Sequence, residues 1–215
     1  MRHRSSVQIM KNRRIILYIA VASLCVSQAG TLYANGMETA EHKIKAAYIY
    51  NIIKFVQLPE IRRAKDTHQK QKYLVVGVTH SHHVKAIRET IAGKEITTRT
   101  GQHYKIKVTY VGGQQLEDTN KMAELDILYV CEHTRKNTSP QLLRTAIENH
   151  VLVFGNTKDF LESGGIINFT IKKNKLKFEI NTGTAEQAGI KIRSQLLKLA
   201  DKVISKKINL KKTEK

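Results

Sequence analysis

Tyr73-Leu74-Val75-Val76-Gly77-Val78 is a short, continuous apolar run rich in β-branched residues. That is the pattern of a strand buried on both faces. Asp126 to Val130 (DILYV) and Val151 to Phe154 (VLVF) repeat it, and Lys105 to Val111 (KIKVTYV) alternates apolar with polar. Between them lie helical stretches: Val84 to Ala92 closed by Gly93, a loop and short helix over Gln114 to Glu124, and Pro140 to Asn149 with Leu142, Leu143, Ala146 and Ile147 inward. Lys158 to Glu162 reads as a further short helix before Gly164. Strand and helix alternating in this way predict parallel strands joined by crossovers, hence an α/β fold built as a three-layer α/β/α sandwich.

Both ends of this core carry their own signals. Upstream, Thr39 to Val56 is helical, with Ile44, Ala47, Tyr48, Ile52 and Phe55 on the apolar stripe, Thr39 as N-cap, and Pro59 beyond the end. Arg62 to Lys72 is polar and aperiodic, a surface loop. Downstream, Ile166 to Ile171 (IINFTI) and Lys175 to Ile180 (KLKFEI) are strands separated by Lys172-Lys173-Asn174. So short a link makes only an antiparallel hairpin. A terminal helix is expected from Thr184 to about Ser205, with Ala185, Ala188, Ile192, Leu196, Leu199 and Val203 inward and Gly189 as an internal weak point. The sheet is thus expected to be mostly parallel, with a C-terminal antiparallel hairpin and a terminal helix.

The first 34 residues differ in kind. Arg2, Arg4, Lys11, Arg13 and Arg14 form a basic opening without an acid, an apolar run follows from Ile15 to Val26, and small residues appear at Ser27, Ala29 and Ala34. These are the parts of a signal peptide in order, with cleavage expected after Ala29 or Ala34. The apolar run is shorter than the roughly 20 residues of a permanent span. A retained anchor is the alternative; acylation of Cys25 fits poorly behind the bulky Leu24. Residues 1–34 are therefore read as the signal, 39–204 as one domain and 205–215 as a basic tail, in an exported chain without a membrane span.

Export constrains the rest. Of two cysteines, Cys25 leaves with the signal and Cys131 remains, so no internal disulfide forms and the core alone supplies stability. Cys131 ends an apolar run and is expected to be a buried thiol. The formal charge of +19 falls to +14 without the signal, from 32 basic and 18 acidic residues. Export and the scarcity of aromatic neighbours argue against nucleic acid. Anionic lipid head groups, envelope polyanions or an acidic protein face are the partners such charge suits, and a merely solvated basic surface explains it as well.

No strong catalytic motif is present: no phosphate loop, no nucleophile elbow, no paired Cys-x-x-Cys. Three weaker features remain. His80, His82 and His83 form a loop at the carboxyl end of a strand, where α/β folds place ligands, but without a carboxylate or thiolate beside them. They are weak metal candidates and no metal site is assigned. Gly164-Gly165 leads into Ile166-Ile167-Asn168-Phe169, a ligand loop or a tight turn into the hairpin. Glu179 alternates with Phe178 and Ile180, so it is either a recognition group or a solvated strand residue.

Taken in order, these segments resemble the YfiR family of periplasmic regulators. The matching marks are Lys45-Ala46-Ala47-Tyr48-Ile49-Tyr50-Asn51 with Lys54-Phe55-Val56 and Pro59, the strand Val76 to Val78, and the turn Ala92-Gly93-Lys94. Gly164 to Phe169, Phe178-Glu179-Ile180-Asn181, and Ala188-Gly189 continuing through Leu196, Leu197 and Leu199 complete the set. The resemblance runs from Lys45 to about Ile204. It implies a periplasmic, non-enzymatic protein without cofactor that binds the periplasmic sensor region of an inner-membrane protein. The implied partner is a diguanylate cyclase, whose restraint lowers cyclic-di-GMP and biofilm matrix.

The binding residues the motifs imply are Asn51, Lys54, Gly164, Gly165, Asn168, Glu179 and Asn181. A homodimer is left open. The family's type member carries disulfide-forming cysteines, which this chain lacks, and Gln57-Leu58 replaces an acidic-aromatic pair common there. The alternative function is an envelope protein that binds a small ligand or a polyanion.

Overall fold

The computed structural model describes residues 40–59, 72–97, 101–116, 118–131 and 139–209. The expected signal peptide, most of the Arg62–Lys72 loop and the last residues of the basic tail lie outside them. The chain divides into two units, Met1–Glu41 and His42–Lys215, and the whole sheet lies in the second.

Eight strands make the main sheet: β2 (Tyr73–Val78), β3 (Glu95–Thr97), β4 (His103–Tyr110), β5 (Ile127–Tyr129), β6 (Leu152–Gly155), β7 (Ile167–Lys172), β8 (Lys175–Asn181) and β10 (Lys202–Ile204). Their order is β10-β8-β7-β6-β5-β2-β4-β3. The central pairs β4–β2, β2–β5, β5–β6 and β6–β7 are parallel. β3 adds antiparallel to β4, and β8 adds antiparallel to β7. A separate two-stranded sheet pairs β1 (Val56–Gln57) with β9 (Lys191–Ile192). The buried runs read from the sequence are thus the central parallel strands, and Ile127, Leu128, Leu152, Val153 and Phe154 have no solvent exposure.

Helices cover both faces. Against one face lie α1 (residues 40–53), through Ala46, Ile49, Ile52 and Ile53, and α2 (Ser81–Ile91), through Val84, Ile87 and Ile91. The other face holds α3 (Thr119–Ala123), through Met122, and α4 (Pro140–Glu148), through Leu142, Leu143 and Ala146. The three-layer α/β sandwich stands. Local chemistry sets the ends: the Ser139 hydroxyl accepts the Leu142 N–H at 3.0 Å, with Pro140 at the first turn of α4.

Five local expectations are corrected. First, the terminal helix is not continuous. The stretch from Thr184 to Ser205 divides into α5 (Thr182–Gln187), β9, α6 (Ser194–Leu199) and β10. Gly189 adopts φ 69°, which closes α5 rather than weakening a longer helix, and Ala200 is extended and closes α6. Second, α2 begins at Ser81, so His82 and His83 are helical and His80 is its N-cap. Third, β3 was not foreseen, because three residues are too few to establish a period. Fourth, residues 158–162 form turns, not a helix. Fifth, the buried stripe of α1 is offset: Ile44 is 51% exposed, while His42 and Lys45 lie inside with Ala46 and Ile49.

The hairpin is tighter than expected. Lys172 pairs with Lys175, leaving the two-residue loop Lys173-Asn174 at φ 50° and 57°, the backbone of a type I′ turn.

Candidate functional site

Two polar constructions stand out, one at β2 and β5 in the middle of the sheet and one beside β8 and β10 at its edge. The first gathers at the carboxyl ends of β2 and β5. Thr79 follows β2 and Cys131 follows β5; the Thr79 N–H donates to Tyr129 O at 3.1 Å, and the Cys131 N–H donates to the Thr79 hydroxyl at 3.1 Å. From the helical layer come His42 and Lys45 of α1 and His83 of α2, all nearly inaccessible. The rings of His42 and His83 stack with centroids 3.4 Å apart, and His80 lies 4.4 Å from His83. This is the edge where open α/β sheets receive ligands.

The chemistry of this edge is constrained by its thiol. Burial pushes the Cys131 thiol up to about 12 from 9.0, against the opposing pull of Thr79, the Lys45 charge, the His80 backbone and Tyr129. At neutral pH the sulfur is therefore protonated and no nucleophile. His82 sits outside the stack, exposed and 5.3 Å from the His80 ring. Among the described residues no group of three or more His, Cys, Asp or Glu side chains is placed to hold a metal ion. The stacked histidines, Lys45, Thr79 and Cys131 form a buried polar joint where α1 and α2 meet the sheet.

The second construction is a clamp at the far end of β8. Asn181 is fully buried. Its amide donates to Leu161 O at 3.0 Å and to the Thr184 hydroxyl at 2.9 Å, and its oxygen accepts the N–H of Lys206 at 3.0 Å and of Thr184 at 3.3 Å. Thr184 donates in turn to Lys206 O at 3.1 Å. Gln187 exchanges two 2.8 Å hydrogen bonds with the Ile208 backbone. Residues 205–208, expected as the start of a tail, are thereby held as a strap along α5.

The residues singled out from the sequence fall into separate groups. Asn51 and Lys54 meet on the surface at the end of α1, with Lys54 Nζ 3.1 Å from Asn51 Oδ1 and 4.1 Å from the Tyr50 ring centroid. Tyr50 donates to Glu95 O of β3 at 3.2 Å. Asn168 and Glu179 face each other across the hairpin in register. Asn168 is buried with its Oδ1 unpaired, and Glu179 reaches Lys172 Nζ at 3.4 Å. Gly164 and Gly165 lie in the turn before β7. Gly164 has φ 108°, and a Cβ on Gly165 would fall 2.0 Å from the Phe160 ring, so both positions are filled by close packing. Asn181 is the centre of the clamp.

Reading the sequence for apolar stripes missed His42 and Lys45. The signal available was their spacing: His42 lies four residues before Ala46 and Lys45 four before Ile49, which puts both on the buried stripe.

A mostly parallel sheet between helical layers, with a covered carboxyl edge and a clamped C-terminal strap, defines an α/β sandwich domain. Comparison with known proteins makes this specific. The family model described as YfiR/HmsC-like matches residues 42–201, and the chain belongs to that family. No curated protein matches it. Among solved structures, a conserved domain protein from Vibrio cholerae O1 biovar El Tor is similar at 14% identity and TM-score 0.46, over 67% of this chain and 58% of that one. The ABC domain in complex with L-Trp from Streptococcus pneumonia is similar at 15% identity and TM-score 0.42, over 61% of this chain and 55% of that one. The chain thus spans less than two thirds of either structure. Among the described residues no helix is long and apolar enough to cross a membrane.

Proposed function

We propose that this protein is an exported periplasmic regulator. It binds the periplasmic sensor region of an inner-membrane signalling protein and restrains a diguanylate cyclase, lowering cyclic-di-GMP output. The observation that carries this reading is the family match over residues 42–201. The basic, acid-free start followed by Ile15–Val26 supports export. Burial keeps Cys131 neutral, which argues against thiol chemistry at that position.

Regulation of this kind needs no reaction. A protein that binds only the resting state of a receptor shifts its population by the difference in affinity between states. Asn51 and Lys54, exposed and mutually bonded at the end of α1, are the proposed partner contacts, together with Glu179 on the hairpin. Gly164, Gly165 and Asn181 hold the turn before β7 and the strap, and Asn168 lies opposite Glu179 on the hairpin.

The test is cross-linking in intact cells with the tagged chain, followed by mass spectrometry of captured membrane proteins. A cyclase or another sensor with a periplasmic region is the expected product, lost in the Lys54→Glu variant. Capture of no such protein by a folded, exported chain would overturn the proposal.

A further inference from the structure

The tip of the β7–β8 hairpin is amphipathic. In a strand, alternate residues face opposite sides of the sheet. Ile167, Phe169 and Ile171 of β7 and Leu176, Phe178 and Ile180 of β8 therefore share one face, the face that α1 and α2 cover further along the sheet. The cover ends at the last pair: Tyr48 of α1 donates to Leu176 O at 3.4 Å, while Ile171, the cross-strand partner of Leu176, is 59% exposed. The end of α6 lies alongside, because the Asp201 N–H donates to Phe178 O at 2.9 Å and Lys202 pairs with Glu179. That contact brings up Leu199, which at 66% exposed is a second uncovered apolar side chain.

The charge around these two residues is one-sided. From Ile171 to Asn209 the chain carries ten basic and three acidic residues. Asp201 and Glu179 already engage Lys172. Lys173, Lys175 and Lys177 are all exposed at or beside the turn.

From this arrangement we infer that the hairpin tip and the end of α6 form a docking surface for a bilayer containing anionic phospholipid. The hairpin meets the bilayer tip first: Ile171 and Leu199 enter the head-group boundary, Lys173 sits in the turn, and Lys175 and Lys177, which leave the opposite face of the hairpin from Ile171, reach phosphates on the other side of the tip. Two exposed apolar side chains bind a membrane only marginally by themselves. Lysines near an anionic surface add the attraction that makes the contact stable, and salt weakens it. The inference goes beyond the regulatory reading, since it concerns lipid rather than receptor, and shares with it only the export of the chain.

The test is co-sedimentation of the chain, purified from the periplasm as the cell processes it, with vesicles. One vesicle is phosphatidylethanolamine mixed with phosphatidylglycerol; the other is phosphatidylcholine alone. Binding to the first, release by added salt and little binding to the second are expected. The triple variant Lys173→Gln, Lys175→Gln, Lys177→Gln should lower the partition coefficient on the order of 100-fold. The double variant Ile171→Ser, Leu199→Ser should also weaken it, and both variants should melt as the parent does because all five positions are exposed. Equal binding to both vesicles, no binding to either, or binding unchanged by the triple variant overturns the inference. So does binding to an acidic protein partner with no affinity for phosphatidylglycerol.

Discussion

The side-chain oxygen of Asn181, at the end of β8, accepts the backbone N–H of Lys206 at 3.0 Å, while Thr184 three residues on donates to Lys206 O at 3.1 Å. One backbone unit of the strap is thus satisfied in both directions by α5. Asn181 also caps α5 through the Thr184 N–H and reaches Leu161 O. Asn181→Ala leaves several buried groups without partners and should cost about 3 kcal/mol. Chemical denaturation measures the loss. Hydrogen exchange at Lys206 should accelerate more than exchange at Leu128 in the central sheet.

Gly183 belongs to the same device. A Cβ there would lie 2.8 Å from the Lys206 nitrogen and carbonyl carbon, and backbone atoms do not yield as a flexible side chain does. Gly183→Ala is expected to expel the strap and destabilise the domain by about 2 kcal/mol. Limited proteolysis should then cut within residues 205–209. Unchanged cleavage in the variant would show that the strap is not held by this contact.

Cys131 gives a pH dependence of definite sign. Its thiol is raised from 9.0 to about 12 by burial. Above pH 9 the unfolded chain loses this proton while the folded chain retains it, so the native state binds more protons and stability falls as pH rises. The contribution is complete below about pH 9 and approaches a loss on the order of 4 kcal/mol near pH 12. Cys131→Ala should flatten that part of the profile. A thiol reagent should label Cys131 only as fast as the domain opens.

The ion cluster beside β10 acts at the other end of the scale. The hydrogen bond from Lys172 holds the Asp201 carboxyl below its usual 3.8, and the same hydrogen bond raises Lys172 in return. Asp201 therefore favours the fold above the usual carboxylate value, and this is lost as pH falls through its lowered value. Both groups are exposed, so the effect is local rather than global. Amide protection at Val203 and Ile204 should fall below about pH 4 ahead of the central strands. Asp201→Asn should show the same loss at neutral pH.

The parts legible in the sequence are those where one physical signal dominates. YLVVGV and DILYV are buried strands because the runs are almost wholly apolar, and the link Lys172-Lys173-Asn174 makes an antiparallel hairpin because so short a connection allows nothing else, the structure narrowing its loop to Lys173-Asn174. The C-terminal third defeated the helical reading for a concrete reason. Ala185, Ala188, Ile192, Leu196, Leu199 and Val203 do recur at helical spacing, yet Gly189 and Ala200 leave the helical region, and backbone pairing of Lys191 with Gln57 and of Lys202 with Glu179 overrides the period.

The site was less legible than the fold. His42 and Lys45 are polar, and an apolar-stripe reading passes over polar residues that are buried for their interactions. Asn51 and Lys54 do come together, as does the Asn168–Glu179 pair. Gly164, Gly165 and Asn181 are explained by the packing of Ile208 and Phe160 and by the strap.

The measurement that tests the regulatory account most directly is cellular cyclic-di-GMP in a strain lacking this protein. Complementation should use both the whole chain and a chain without residues 1–34. The account predicts that cyclic-di-GMP rises on deletion and returns to its original level only with the exported form. An unchanged level on deletion, or rescue by the form that stays in the cytoplasm, would contradict it.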